Sequence, residues 1–255
     1  MEMVTSYNGF LVALSFCVSV FGSYTGLQLA GGIRDASRSA RPWWIFCAAL
    51  ALGGGAIWTM HFIGMLAYQT SVPVVYDIGI TFLSLLIAVL VVGVSVYIVA
   101  NSGDSTLGLL AAGLFAGLGV ASMHYVGMEA MIMAADMHYD TVLVAVSIVI
   151  AVVSATVALW LSFNLTGNFQ KLGSAVVMGV AVCGMHYTGM AAMSMVPNDD
   201  PMVAVSSLSP LAMGLFVFCF SMLLLVLCLI VALSQLSRRM YEAMESEQDI
   251  SSETA

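Results

Sequence analysis

Charge is what this sequence has least of. Lys, Arg, Asp and Glu together supply 8% of its 255 residues, where a soluble domain carries about a quarter. Apolar residues supply 61%, and the mean hydropathy is +1.04. That balance excludes a water-soluble fold. It also argues against a nucleic-acid partner, because only six residues are basic and the net charge is -8. Paired cysteine is missing too. Cys17, Cys47, Cys183, Cys219 and Cys228 all lie inside apolar runs with no CxxC spacing, so they read as buried small apolar residues, not as a disulfide framework. A cleavable leader is the third absence. Glu2 stands near the start, no basic segment precedes the first apolar run, and that run is long enough to span.

What is present is seven apolar runs, each about the 20 residues that cross a bilayer. They are Tyr7–Gly31, Trp43–Tyr68, Ile78–Ala100, Thr106–Ala135, Thr141–Phe163, Gly173–Val196 and Pro210–Ser234. Arg34, Arg38, Arg41, Lys171, Arg238 and Arg239 all fall on one side of a seven-span arrangement, while Asp77, Asp136, Asp140, Asp199 and Asp200 fall on the other. Cytoplasmic loops collect Lys and Arg. The expectation is an all-α membrane protein in the lipid bilayer, N-terminus outside and C-terminus cytoplasmic. Residues 1–233 form one domain, followed by a short acidic tail, 234–255.

Three stretches are nearly the same: M-H-F-I-G-M (Met60–Met65), M-H-Y-V-G-M (Met123–Met128) and M-H-Y-T-G-M (Met185–Met190). They hold three of the four histidines. Such periodicity marks an internal repeat. It extends further: Tyr7-Asn8, Tyr76-Asp77 and Tyr139-Asp140 open the first, third and fifth spans, and Ser15, Ser84 and Ser147 follow eight residues after each Tyr. The unit is therefore a two-helix hairpin used three times, with a seventh helix added. Each unit holds an even number of spans, so His61, His124 and His186 share one level in the outer halves of the second, fourth and sixth spans. Gly54, Gly117 and Gly179 precede the histidines by seven residues, and Gly64, Gly127 and Gly189 follow by three. Small residues let helices approach closely in lipid, so the histidine face packs on other helices.

His and Met at i and i+4 share a helix face. Around a common axis, His61, His124 and His186 would converge with Met65, Met128 and Met190. Imidazole with thioether suits copper; three imidazoles alone also suit zinc. Met131 and Met193, at +7, would extend the stripe, whereas Met60, Met123 and Met185, at -1, point about 100° away and either serve a second site or pack. Methionine stripes also simply fill cores. Glu129 is a further possible ligand or a residue reaching the outer interface, and His138 reads as solvated. The serines have no acid or base beside them, so they bond helix backbones, and no enzyme is expected. The Tyr at each hairpin start fits an interfacial belt.

The three motifs resemble the MHYT domain, a bacterial membrane sensor domain named for this tetrapeptide. The resemblance covers nearly the whole chain, through the seventh span. Val126 and Phe62-Ile63 depart from the family's Tyr-Thr, at positions that are not ligand types. The resemblance implies a bacterial cytoplasmic membrane protein that binds copper through the motif His and Met and senses oxygen, carbon monoxide or nitric oxide. It also implies a cytoplasmic output, such as the GGDEF and EAL domains that make and degrade cyclic di-GMP. No such domain fits in the tail, so the output would be a partner protein or a missing C-terminal domain. A copper- or zinc-binding or metal-transporting protein without gas sensing is the alternative; ligands at one level favour the sensor.

Overall fold

The computed structural model describes residues 5–34, 36–103, 105–165, 167–198, 206–227 and positions 230, 234 and 244. Cys228, Asp199, Asp200, Arg238, Arg239 and the tail, bar Ser234 and Met244, lie outside the described residues. Seven helices are long and apolar enough to cross a membrane: α1 (Gly9–Ile33), α2 (Arg41–Ala67), α3 (Ile78–Ser102), α4 (Thr106–Glu129), α5 (Thr141–Asn164), α6 (Asn168–Ala191) and α7 (Pro210–Leu227). With its family, established below, this makes the chain a multi-pass membrane protein. Helices α1 to α6 close into a ring in which the motif helices α2, α4 and α6 also touch one another. Helix α7 packs on the outside of α2, where Phe220 and Leu224 fill the space that Gly54 and Gly55 leave.

The hairpin repeat is closed at one end by features the hydropathy profile hides. Each histidine helix stops five or six residues after its histidine, and the chain turns into a short strand. Strand β1 (Ser6–Tyr7) pairs with β2 (Tyr68–Gln69), β3 (Val75–Asp77) with β4 (Met131–Ile132), and β5 (Ala135–Tyr139) with β6 (Met193–Pro197), all antiparallel. A seventh strand, β7 (Ser207–Leu208), adds to β3. The registers repeat: Tyr7 faces Tyr68, Tyr76 faces Met131, and Tyr139 faces Met193. The next amide closes each hairpin, with Asn8 N–H on Ala67, Asp77 N–H on Ala130 and Asp140 N–H on Ala192, each at 2.8 Å. The same Asn8, Asp77 and Asp140 cap the helices that follow, accepting from Leu11, Ile80 and Leu143 amides at 3.2, 2.8 and 3.0 Å. An Asx side chain satisfies amides that have no partner within the helix. These aspartates are thus helix caps as well as loop acids.

Three expectations need correcting. The fourth and sixth spans end at Glu129 and Ala191, not Ala135 and Val196, because Met131 and Met193 are in strands. They therefore do not extend the helical stripe. The tyrosines form no uniform belt: Tyr7 is exposed, but Tyr76 is buried against β4. Nor are the four described cysteines buried. Cys17 and Cys219 are exposed and Cys47 and Cys183 half-buried, all four free, because the outer faces of a lipid-facing bundle are themselves apolar.

One helix departs from the pattern. Residues Leu50–Trp58 of α2 are π-helical. The wide turn coincides with Gly53-Gly54-Gly55, and the Thr59 amide reaches back five residues to the Gly54 carbonyl, which the Thr59 hydroxyl also engages at 2.9 Å. Without side chains here, α3 comes close; a Cβ on Gly53 would stand 2.6 Å from the Ala88 carbonyl oxygen.

Candidate metal centre

The ring brings all three motif histidines to its centre. His61, His124 and His186 are at most 1% exposed. Their Nδ1 atoms form a triangle with sides of 3.0, 3.1 and 3.3 Å. The rings stand nearly edge to face, with centroids 4.9–5.1 Å apart.

Each imidazole is seated by the neighbouring hairpin. His61 lies against Gly127, His124 against Gly189 and His186 against Gly64; a Cβ on any of these glycines would come within 2.8–3.0 Å of the ring Cδ2 and closer still to Nε2. The +3 glycine of each motif thus makes room for another motif's histidine. The residue beside each histidine is held in the same cyclic order. Tyr125 shares a 2.7 Å hydrogen bond with Ser147, and Tyr187 one of 3.0 Å with Ser15. In the first motif Phe62 has no hydroxyl, and Trp58 Nε1–H donates to Ser84 at 3.0 Å instead. Each serine also donates to the carbonyl three residues earlier, at 2.7–2.8 Å.

These half-buried pairs make a measurable prediction. Ser147→Ala leaves the Tyr125 hydroxyl without its partner, at a cost of about 1–3 kcal/mol. Tyr125→Phe does the same to Ser147 at lower cost, since that hydroxyl keeps the Val144 carbonyl. The double variant copies the Phe of the first motif and is expected to be more stable than Ser147→Ala alone. Thermal unfolding of the four proteins checks this; strictly additive losses would mean that the pair does not interact.

The triangle is chemically frustrated as it stands. A neutral imidazole has one N–H donor and one lone-pair acceptor. Three mutually facing Nδ1 atoms cannot supply a donor and an acceptor to all three pairs at once. All three Nε2 atoms are buried without a hydrogen-bond partner as well. A cation between the Nδ1 atoms resolves the conflict by taking all three lone pairs. Bonds near 2.0–2.1 Å in a tetrahedral site put such nitrogens about 3.3–3.4 Å apart, close to the observed sides. The buried group could hold a metal ion.

The methionines distribute unequally. Met65, Met128 and Met190 are at most 1% exposed and join one apolar cluster with Met123, Met131 and Met193. Met60 is fully buried, while Met185 turns toward a different cluster and lines a cavity. Glu129 is exposed at the end of α4 and hydrogen-bonds the Tyr139 phenol. Burial, with that carboxylate, pushes the phenol up to about 12, so it stays neutral. His138 and Asp136 are exposed on the outer face of β5.

The cavity, about 70 Å³, lies on the other side of the histidines from the strands. Ile57, Val120 and Val182, each four residues before a motif histidine, line it together with Met178 and Ser23. Its walls are mostly apolar, and the Ser23 hydroxyl is buried without a partner. Sequence reasoning misses Trp58, the glycine seats and this cavity. The cyclic offset of serine and tyrosine is a signal that could have pointed to the seats.

Comparison with known proteins gives the family. The model described as "Bacterial signalling protein N terminal repeat", MHYT, matches residues 54–112 and 117–175. Each match runs from a histidine helix through the next helix and into the start of the following histidine helix, across the hairpin boundaries. The third motif lies beyond them but occupies the equivalent place in the structure. The chain is similar to the bifunctional diguanylate cyclase/cyclic di-GMP phosphodiesterase MucR of Pseudomonas aeruginosa, 40% identical over 74% of this chain and 28% of MucR. It is also similar to the cyclic di-GMP phosphodiesterase NbdA of the same organism, 37% identical over 82% of this chain and 27% of NbdA. The signaling protein YkoW of Bacillus subtilis is 32% identical over 88% and 29%, respectively. The chain thus spans under a third of the length of these relatives, and no solved structure matches it. Two matched repeats, three equivalent histidine motifs and these signalling relatives show that the chain belongs to the MHYT family of bacterial signalling proteins.

Proposed function

We propose that this chain is the membrane sensor part of a signalling system, holding one copper ion on His61, His124 and His186 and responding to a neutral diatomic gas. The observation that carries the reading is the frustrated Nδ1 triangle. Met65, Met128 and Met190, one turn away on the strand side, offer soft thioether donors that favour copper over zinc. Met60, Met123, Met185, Met131, Met193 and Glu129 are packing or supporting residues in this reading. Arg34, Arg41 and Lys171 stand at the end away from the strands, which fits a cytoplasmic end with the strands in the periplasm of a bacterial inner membrane. Oxygen, carbon monoxide or nitric oxide can partition to a buried apolar site without ionic desolvation, and the cavity one turn below the triad has room for one. Its lining supports a sensor over a metal conduit, which would need ligands at successive depths. The chain itself is read as non-enzymatic. Its output passes to a cytoplasmic partner or to a domain of the kind that the names of MucR and NbdA describe.

The test is elemental analysis followed by gas titration of the copper-loaded protein. One copper per chain is expected, with a metal spectrum that shifts under at least one of the three gases. Val120→Phe, which fills the cavity, is expected to keep the copper and lose the shift. A spectrum indifferent to all three gases would leave a metal-binding protein and remove the gas; a copper-free protein would remove the site.

A further inference from the structure

Methionine is segregated in this fold. Helices α3 and α5 are the most apolar of the seven spans and α1 matches α4, yet α1, α3 and α5 hold no methionine; Leu, Val, Ile and Phe are their large apolar residues. Between α4 and α5, and again after α6, five occur in the short strands and the turn that joins two of them: Met131, Met133, Met137, Met193 and Met195. Packing alone gives no reason for that split, since Leu and Met are interchangeable by volume. The thioether is what the strand end has and α1, α3 and α5 lack.

The strand register puts these thioethers in order. Met137 faces Met195 directly across the β5–β6 ladder, and Tyr139 faces Met193 two residues on. Alternate residues share a face of a strand, so Met137, Met195 and Met193 lie together on the inner face, opposite exposed Asp136 and His138. Met137 is half-buried, Met193 and Met195 are 7% and 2% exposed, and Met65, Met128 and Met190 at most 1%. All belong to, or pack against, a single cluster that reaches the motif helices. Exposure is therefore greatest at Met137, on the surface side, and lowest at the residues one turn from the triad.

We infer that the strand end is a thioether path by which a soft monovalent cation, Cu(I) or its analogue Ag(I), enters and leaves the triad, with Met137 and Met195 as its outermost pair. The path rests on the triad being a metal site. A thioether is uncharged and polarizable, so it strips water from a soft ion without holding it as an anionic ligand would. Hard divalent ions find no such partners there. The Tyr139 hydroxyl stands 3.9 Å from the Met137 sulfur on the same face of the strand.

The experiment uses the full chain and Ag(I), which needs no reductant. Met137→Leu/Met195→Leu keeps volume and removes sulfur. Rapid-mixing measurement is expected to show Ag(I) entry and release both slowed by roughly tenfold or more, with equilibrium affinity unchanged, since a path alters rates and a ligand alters affinity. Wild-type rates in the double variant would overturn the path while leaving the triad in place. So would weaker affinity with an unchanged entry rate, which would make the pair ordinary ligands. A wild-type protein that takes up no Ag(I) would overturn the triad reading itself, and the path with it.

Discussion

Replacing His124 by alanine is expected to abolish tight copper binding. Two imidazoles remain, and the ion loses a third of its nitrogen ligands. Loss of a supporting residue around a metal costs about 10–100-fold in affinity; loss of a ligand should exceed that. The stability readout separates metal from packing. With copper a thousandfold above its dissociation constant, wild-type protein gains about 4 kcal/mol, and the variant is expected to gain none. Metal-free, the order changes. The histidine contributes a nitrogen that cannot be fully paired and an Nε2 with no partner, and removing such groups offsets much of the packing lost. The two metal-free proteins should therefore unfold within about 1–2 kcal/mol of each other. A variant that binds copper like wild type would end the triad assignment.

Gly127→Ala is expected to be nearly as damaging without touching a ligand. The added Cβ falls on the His61 ring, 3.0 Å from Cδ2 and nearer to Nε2. A ring edge cannot fold away as a flexible chain end can, so His61 must shift and its Nδ1 leaves the triangle. Overpacking of this kind costs about 1–3 kcal/mol, and a displaced ligand about 10–100-fold in metal affinity. Gly184→Ala is the control. It lies two residues before His186, yet a Cβ there meets nothing within 4 Å, so it should bind metal normally. Equal affinity in Gly127→Ala and Gly184→Ala, measured by competition with a chelator, would show that the glycine seat has no bearing on the site.

Much of this architecture is legible in the amino-acid sequence. The six-residue motif places His61, His124 and His186 at one level, and the repeat of Tyr, Asx and Ser places the hairpins around them. Both depend on residue identity at fixed spacing, which a sequence displays directly. The strands are not legible, because Met131–Ile132 and Met193–Pro197 are as apolar as the helix ends they follow; hydropathy does not distinguish a strand from one more helical turn. The π-helical stretch is hidden for a related reason: Gly53-Gly54-Gly55 reads as close helix packing under any turn width. The glycines at +3 fall on the packing face in either view, but what they pack against is another motif's histidine. That follows only from the way three hairpins interlock, which no single helix pattern contains.

The interlocking has a direction, and direction matters for a chain made from one end. The first hairpin leans its histidine and Trp58 on the second, the second leans His124 and Tyr125 on the third, and the third leans His186 and Tyr187 back on the first. Membrane insertion begins with α1 and reaches α6 late. Until α6 docks against α1, His124 has no glycine seat, Ser15 has no phenol and the nitrogens number two. Biogenesis therefore finishes the site in one closing step, and a nascent chain with two complete repeats is an open arc with two of the three imidazoles and no closed triangle. On the proposed metal reading, a half-made copy lacks the third imidazole while it is still being threaded into the bilayer, so the complete site appears only once the ring has closed.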